Sequence, residues 1–268
     1  MSKKLGQHFL KSSQIARTIV DFLGIQPGDT VVEIGGGTGA LTRNIVDHSS
    51  PERLIVIEKD TKLAELLTRN FQYPISTTQI GSPFQISKSQ NAILHGDVLE
   101  VLPQIEGEYK LIGNIPYYIT GKLLRVISEL KHRPSTTVLM IQKEVAERLV
   151  AHPPKMNLLA ASVQVWADVQ LLLSVSRREF TPQPKVHSAV VSLKTKDCDL
   201  TKSQMDSYYS FIRILFQQPR KTIVNNLSAG YDMPKDEVIR LLKTLHVDEH
   251  SRPQNLSISL IKNLSQMV

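Results

Sequence analysis

Asn114, Ile115, Pro116 and Tyr117 follow one another where an apolar run ends on Gly113. A side-chain amide, a stiff proline and an aromatic ring are poor material for a turn, which takes Gly, Asp or Ser. They suit an edge that holds something flat. The amide can exchange hydrogen bonds with it, Pro116 keeps the backbone still, and Tyr117 can lie against a planar face. Tyr118 comes next, and nothing in turn chemistry asks for it either.

A second group stands earlier, in Glu33-Ile34-Gly35-Gly36-Gly37-Thr38-Gly39. Alternate glycines let a ligand approach the backbone and leave the amides of the next helix open to it. Gly35, Gly37 and Ala40 also fit the dinucleotide fingerprint. By itself the stretch says "nucleotide-like cofactor", or only a tight strand-to-helix turn. Glu58 ends the next apolar run, where a carboxylate can accept both hydroxyls of a ribose. An NAD enzyme could share both features. Asp97 ends the run after that and could accept from the exocyclic amino group of an adenine. This third acid separates the readings, because a glycine turn, Glu58 and Asp97 come in order at the ends of successive strands.

The elements that must position these residues can be read from the pattern. From Thr30 to about Thr195, short Val- and Ile-rich runs alternate with longer amphipathic ones. The strands are "TVVEIG", "RLIVIE", "AILHGD", "KLIGN" and "TTVLMIQ". The helices are "ALTRNIVDH", "TKLAELLTRNF", "GKLLRVISEL" and "KEVAERLVAH". Such alternation implies parallel pairing with crossovers, hence an α/β fold with a mostly parallel, doubly wound sheet. "VQVWADVQLLLSV" and "KVHSAVVSLKT" lack an intervening helix and are expected as an antiparallel hairpin at the sheet edge. Beyond "KTKDCDLTKS" the apolar residues return at helical spacing in four segments. The expected division is residues 1–197, with a contributing N-terminal arm over 1–20, and an all-helical domain over 198–268. Gln72–Asn91 is rich in Ser, Thr, Gln and Pro and reads as a mobile surface loop.

The chain has 268 residues and a net charge of +7 with a pI of about 9.4. Basic clusters at Lys3, Lys4, Lys11 and Arg17, at Arg177-Arg178 with Lys185, and at Arg220-Lys221 suit a polyanionic partner. The single cysteine, Cys198, excludes an internal disulfide. No apolar run approaches the ~20 residues that span a bilayer, and the N-terminus does not read as a signal peptide. A cytoplasmic protein without a membrane anchor is expected.

Taken together, "GQHFL" (Gly6–Leu10), "EIGGGTGALT", "IEKD", "GDVL", "GNIPYYIT", "FTPQPKVHSAV" (Phe180–Val190) and "RKTIVNNL" (Arg220–Leu227) resemble the rRNA adenine N6-dimethyltransferases in order and over most of the chain. The resemblance implies a Rossmann-like methyltransferase that uses S-adenosylmethionine and no metal. No partner for His8 stands at metal-ligand spacing. It implies that His8, Leu10, Gly35, Gly37, Glu58, Asp97, Val98 and Asn114 line the methyl-donor site. It implies catalytic roles for Asn114, Ile115, Pro116, Tyr117 and Phe180. Within the family, the Phe180 and Arg220 motifs are closer to the small-subunit (16S, KsgA/RsmA) type than to the large-subunit (23S) erythromycin-resistance type. That type implies dimethylation of two adjacent adenosines in a 3′-terminal hairpin loop of a small-subunit precursor, by a monomer. An rRNA-binding assembly factor with secondary catalysis is the alternative from another class. In two places the chain departs from the family's pattern. Gly36 stands where many relatives have proline, which a turn tolerates, and Tyr118 where many have asparagine.

The N6 nitrogen is a poor nucleophile because its lone pair is delocalised into the ring. No activated base, nucleophile elbow or paired carboxylates appear in the sequence. The work left to the protein is orientation. Asn114 Oδ1 and the Ile115 carbonyl are the expected acceptors for the amino hydrogens, and Tyr117 and Phe180 the two stacking faces. The base must leave its stack to enter such a site.

Overall fold

The computed structural model describes residues 7–77 and 91–268. Two compact units emerge. One comprises the chain up to Ala146 with Gln170–Thr195, and the other Glu147–Val169 with Lys196–Val268.

The first unit opens with a two-residue strand, β1 (Phe9–Leu10), and a helix, α1 (Ser13–Leu23). Ser12 caps α1 by accepting from the Ile15 amide, and Ala16, Ile19, Val20 and Leu23 form its buried stripe. This helix was not among the expected elements, although its apolar spacing is helical. Then β2 (Thr30–Ile34), α2 (Ala40–His48), β3 (Arg53–Glu58) and α3 (Thr61–Phe71) follow the expected alternation. A short strand, β4 (Ile75–Thr77), precedes β5 (Ala92–His95) and pairs parallel with it. The loop expected over Gln72–Asn91 therefore starts as a strand, and its remainder, 78–90, lies outside the described residues. The short helix α4 (Val98–Val101), β6 (Lys110–Asn114), α5 (Thr120–Glu129), β7 (Thr136–Gln142) and α6 (Lys143–Leu149) continue the pattern.

Among the described residues the sheet has eight strands. With β8 (Ala167–Val175) and β10 (Ser188–Thr195), the order is β4-β5-β3-β2-β6-β7-β10-β8, while β9 (Phe180–Thr181) pairs only with β1. Strands β2 to β7 pair parallel, so the doubly wound arrangement is present, and β10 runs antiparallel to β7. The last two strands, β8 and β10, are neighbours at one edge of the sheet, where the added pair is expected. β10 is inserted beside β7, and β8 is outermost. Ala189, Val190, Val191 and Leu193 are fully buried, which requires cover from neighbours on each side, whereas β8 buries only its end residues, Ala167 and Val175. Val163 and Gln164 end a helix rather than begin β8.

That helix, α7 (Leu158–Gln164), belongs to the second unit with α8 (Lys202–Leu215), α9 (Ile223–Tyr231), α10 (Lys235–Thr244) and α11 (Ile258–Ser265). The four helical segments expected in the C-terminal region are present. The unit does not begin with a single cut at residue 197. It also takes 147–169, because α8 docks on α7, where the Tyr208 and Tyr209 hydroxyls donate to the Ala161 and Ser162 carbonyls at 2.9 and 3.2 Å. Among the described residues no helix is long and apolar enough to cross a membrane.

In the first unit the chain leaves β2 toward β3 and β5, then returns to β6 on the other side of β2. Ligands bind beyond the carboxyl ends of the strands at such a reversal. The glycine loop that starts there is packed from below. A Cβ on Gly36 would stand 2.5 Å from Val56 Cγ1 and 2.8 Å from Leu67 Cδ1, both fully buried. Gly36→Ala should therefore destabilise the fold by about 1–3 kcal/mol through overpacking, read as a lower denaturant midpoint at unchanged slope. An unaffected midpoint would mean that Val56 and Leu67 can yield.

Candidate active site

An open cleft of about 810 Å³ lies at the strand reversal. His8, Gly35, Gly37, Glu58, Asp97 and Val98 line it, and so do Asn114, Ile115, Pro116 and Tyr117. Residues far apart in the chain meet here because β2, β3, β5 and β6 are adjacent and parallel.

The glycine loop leaves β2 with Gly35 and Gly37 at φ of 68° and 56°, the left-handed region that side chains disfavour. Gly35 donates its N–H to Ile57 O on β3 at 2.8 Å. Glu58 holds the loop from the same side. It is buried, and its two oxygens accept from Gly37 N at 2.9 Å and Asp60 N at 2.8 Å. Burial pushes its carboxyl above the ordinary range, although these amides pull it down. Asp97 is more open. Its Oδ1 caps α4 by accepting from Leu99 N at 3.0 Å, and its Oδ2 takes Lys59 Nζ at 2.7 Å. Burial raises its pKa, but Lys59 and the Leu99 amide prevail and hold it below the ordinary range. A donor for Asp97 Oδ2 can share it with Lys59 or displace that lysine, which is largely exposed and can move.

Asn114 ends β6. Its Nδ2 donates to His8 O at 2.9 Å, which leaves Oδ1 as the acceptor. Ile115 N donates to Met140 O on β7, and Pro116 then starts a single 3₁₀ turn over Tyr117–Ile119. The Tyr117 ring is turned inward. Its hydroxyl bonds Ser188 Oγ at 2.9 Å, and its ring centre lies 5.7 Å from that of His8. His8 Nδ1 in turn meets Pro182 O at 2.7 Å. The arm that carries His8 is tied down by the β1–β9 ladder, with Phe9 opposite Thr181 and Leu10 opposite Phe180.

Two residues are placed elsewhere than the sequence suggests. Phe180 is 2% exposed, belongs to the hydrophobic core with Leu10, Ile19 and Val190, and does not line the cleft. It is an inward residue of a two-residue strand, where its apolar ring is better buried than presented. Leu10 is buried as well and lines a smaller adjoining cavity of about 300 Å³, behind the glycine loop. Gly6, Lys3 and Lys4 lie outside the described residues. Sequence reasoning missed Lys59, Ser188 and the ring of Phe9, which lies where a Cβ on Gly37 would be 3.3 Å away. It also missed Glu33, which lines the smaller cavity and accepts from Thr42 Oγ1 at 2.7 Å. The backbone N–H of Thr42 bonds it too, so Glu33 caps α2, whose own N-cap, Gly39, has no side chain to do so. Among the described residues no group of three or more His, Cys, Asp or Glu side chains could hold a metal ion.

A sequence model described as "Ribosomal RNA adenine dimethylase" matches residues 1–268. The chain is 34% identical to the "Ribosomal RNA small subunit methyltransferase A" of Dehalococcoides mccartyi (strain CBDB1), over 98% of this chain and 86% of that protein. It is 40% identical to the protein of the same name in Chlorobium chlorochromatii (strain CaD3), over 86% of this chain and 82% of that one. Among solved structures, a dimethyladenosine transferase from Plasmodium falciparum superposes with a TM-score of 0.77 at 26% identity, covering 96% of each chain. The 23S rRNA methyltransferase ErmE shares the fold, with a TM-score of 0.72 at 22% identity over 96% of this chain and 98% of that one.

Burial of Phe180 and the exposure of Tyr117 to the cleft separate their roles. Phe180→Ala should cost about 3–5 kcal/mol of stability by leaving a cavity, and Tyr117→Ala much less, in parallel urea titrations. Equal losses would contradict the placement.

Glu33 makes a second measurement possible. Burial pushes its carboxyl from 4.5 to about 7, the Thr42 bonds oppose this, and the charge of Glu58 adds to it. Between those pH values the folded state holds a proton that the unfolded state has lost, so stability falls as pH rises. Glu33→Gln should match wild type below pH 4.5 and exceed it by roughly 3 kcal/mol above about pH 7. A pH-independent difference in urea midpoints would mean that Glu33 stays ionised.

Proposed function

The chain belongs to the ribosomal RNA adenine dimethylase family, and from that premise we propose that it uses S-adenosylmethionine to dimethylate N6 of adenines in small-subunit ribosomal RNA. The observation that carries this reading is Asn114. One N–H of its amide is bonded to His8 O, which fixes the amide's orientation and leaves Oδ1 as an acceptor in a residue that lines the cleft with Tyr117.

The cleft suits the methyl donor. Glu58 retains acceptor capacity for ribose hydroxyls beyond its two amide bonds. Asp97 would accept from the adenine amino group beside Lys59 or in its place. The bare backbone at Gly35 and Gly37, with His8 on the arm, would receive the amino-acid end, Leu10 would support the arm from the adjoining cavity, and Val98 would pack on the adenine. Bound there, S-adenosylmethionine supplies a methyl group made electrophilic by its positively charged sulfur.

The rest falls to the protein. Asn114 Oδ1 and the Ile115 carbonyl accept from the two amino hydrogens of the target adenine, which draws the N6 lone pair out of the ring and aims it. Pro116 keeps both acceptors at a fixed spacing. Tyr117 stacks on the base, and its hydroxyl bond to Ser188 sets the plane of the ring. Phe180 supports this from below by holding β9 against the arm that carries His8. Exposed Lys11, Arg177, Arg178 and Lys185 gather around the β1–β9 ribbon, where Lys11 N bonds Glu179 O and Arg177 reaches Lys185 O. They form a cationic surface beside the cleft for the phosphate chain.

The relatives named for the small subunit favour that substrate over large-subunit RNA. The finer reading is a pair of adjacent adenosines in a 3′-terminal hairpin loop of the 16S rRNA. They would be modified on a small-subunit precursor by a cytoplasmic monomer, as a step of subunit biogenesis.

Methyl transfer to unmethylated small subunits, with the product mapped, tests the proposal. Asn114→Ala should lower kcat by roughly 10²–10³-fold. Tyr117→Ala should lower kcat/KM for RNA by roughly 5- to 100-fold while titration calorimetry finds the donor still bound. Product confined to large-subunit rRNA would overturn the substrate, and full turnover by Asn114→Ala the mechanism.

A further inference from the structure

Tyr118 is the residue at the cleft that the reaction leaves without a task. It is 59% exposed, the most exposed large hydrophobic side chain among the described residues, yet it lines the cleft. The 3₁₀ turn explains the contrast with its neighbour. Successive side chains of a three-residue turn point about a third of a revolution apart, so with Tyr117 turned inward to Ser188, Tyr118 projects from the rim.

Its surroundings carry both signs, with Lys59 bonded to Asp97 and Glu100 near enough to act on Lys59. The phenol is close enough to act on the charge of Lys59, whose other partner is Asp97. Lys122, exposed on the first turn of α5, is close enough to act on Asp97 as well. One exposed ring at the rim, with Lys59 within reach of it and Lys122 within reach of Asp97, matches what an unpaired nucleotide presents: a π-face and a phosphate.

We propose that Tyr118 is a stacking platform for the nucleotide adjoining the target adenine, and that Lys59 and Lys122 hold the phosphate between the two. The platform rests on the reading of the cleft as an adenine-in-RNA site and adds to it a determinant of substrate recognition. Tyr117 takes the base to be methylated and Tyr118 takes its neighbour, so the turn holds the RNA open at the step between them. Lys59 has three N–H donors and gives one of them to Asp97. A donor adenine seated on Asp97 competes for that carboxylate and leaves Lys59 freer for the RNA, so donor and RNA favour each other's binding.

The test uses the full-length protein with unmethylated small subunits and, separately, with a single-stranded oligoadenylate RNA. Tyr118→Ala should raise KM for subunits roughly 5- to 100-fold with donor affinity unchanged, and Tyr118→Phe should restore it. Lys122→Ala should reduce the slope of log affinity against log salt by about one. The protein's one tryptophan, Trp166, is fully buried, so a Tyr118→Trp variant reports from the rim; oligoadenylate should quench it saturably, and more strongly with donor present. Unquenched Tyr118→Trp emission, an unchanged KM in Tyr118→Ala, or equal losses in Tyr118→Ala and Tyr118→Phe would each overturn the platform while wild-type methyl transfer persists. Absence of wild-type transfer to subunits would instead overturn the reading on which the platform rests.

Discussion

Strands β2 and β6 lie side by side with Ile34 opposite Gly113, and the rest of the site depends on that pairing. A side chain at Gly113 would not fit. Its Cβ would stand 2.8 Å from Ile34 O and 2.8 Å from Ile115 Cδ1. Without it, two strands on opposite sides of the chain reversal end together, and the glycine loop and the Asn114 edge face one cleft. β3 then supplies Glu58 from one flank, and β7 anchors Ile115 through Met140 O from the other. Parallel strands bring their carboxyl ends to the same side of a sheet, which is why one seam can serve both the donor and the acceptor of a group.

Three carboxylates converge at that end, and each is stabilised in its own way. Glu33 is fully buried, takes its bonds from Thr42 and titrates near neutrality. Glu58 is buried on the amides of Gly37 and Asp60, so a charge that would be costly alone also orders the loop above it. Asp97 is partly open and leans on Lys59. Glu58 and Asp97 line the cleft and Glu33 the smaller cavity beside it, and the most replaceable partner, a solvated lysine, stands at the most open of the three acids.

The N-terminal arm closes the other side by backbone contacts more than by side chains. The β1–β9 ladder and the bond from Asn114 Nδ2 to His8 O make the orientation of the Asn114 amide depend on a segment more than a hundred residues away. This gives a physical account of Phe180. Its ring is worth more as the buried anchor of a two-residue strand than as a second face on a base, since so short a ladder cannot hold by hydrogen bonds alone.

What the sequence determined by itself was local. Buried strands alternating with amphipathic helices announced the doubly wound sheet, and glycines, acids and an amide at the ends of those strands announced where a ligand sits, because side-chain periodicity and backbone permissiveness are properties of neighbouring residues. The four C-terminal helices were legible for the same reason. Only the tertiary structure decided what depends on distant partners. It inserted β10 next to β7, put 147–169 with the C-terminal helices, and buried Phe180. It set Lys59 on Asp97 and Glu33 on α2, and turned Tyr117 inward while Tyr118 stayed out. Each of these outcomes is set by a surface or a charge brought near by folding, which spacing along the chain does not encode.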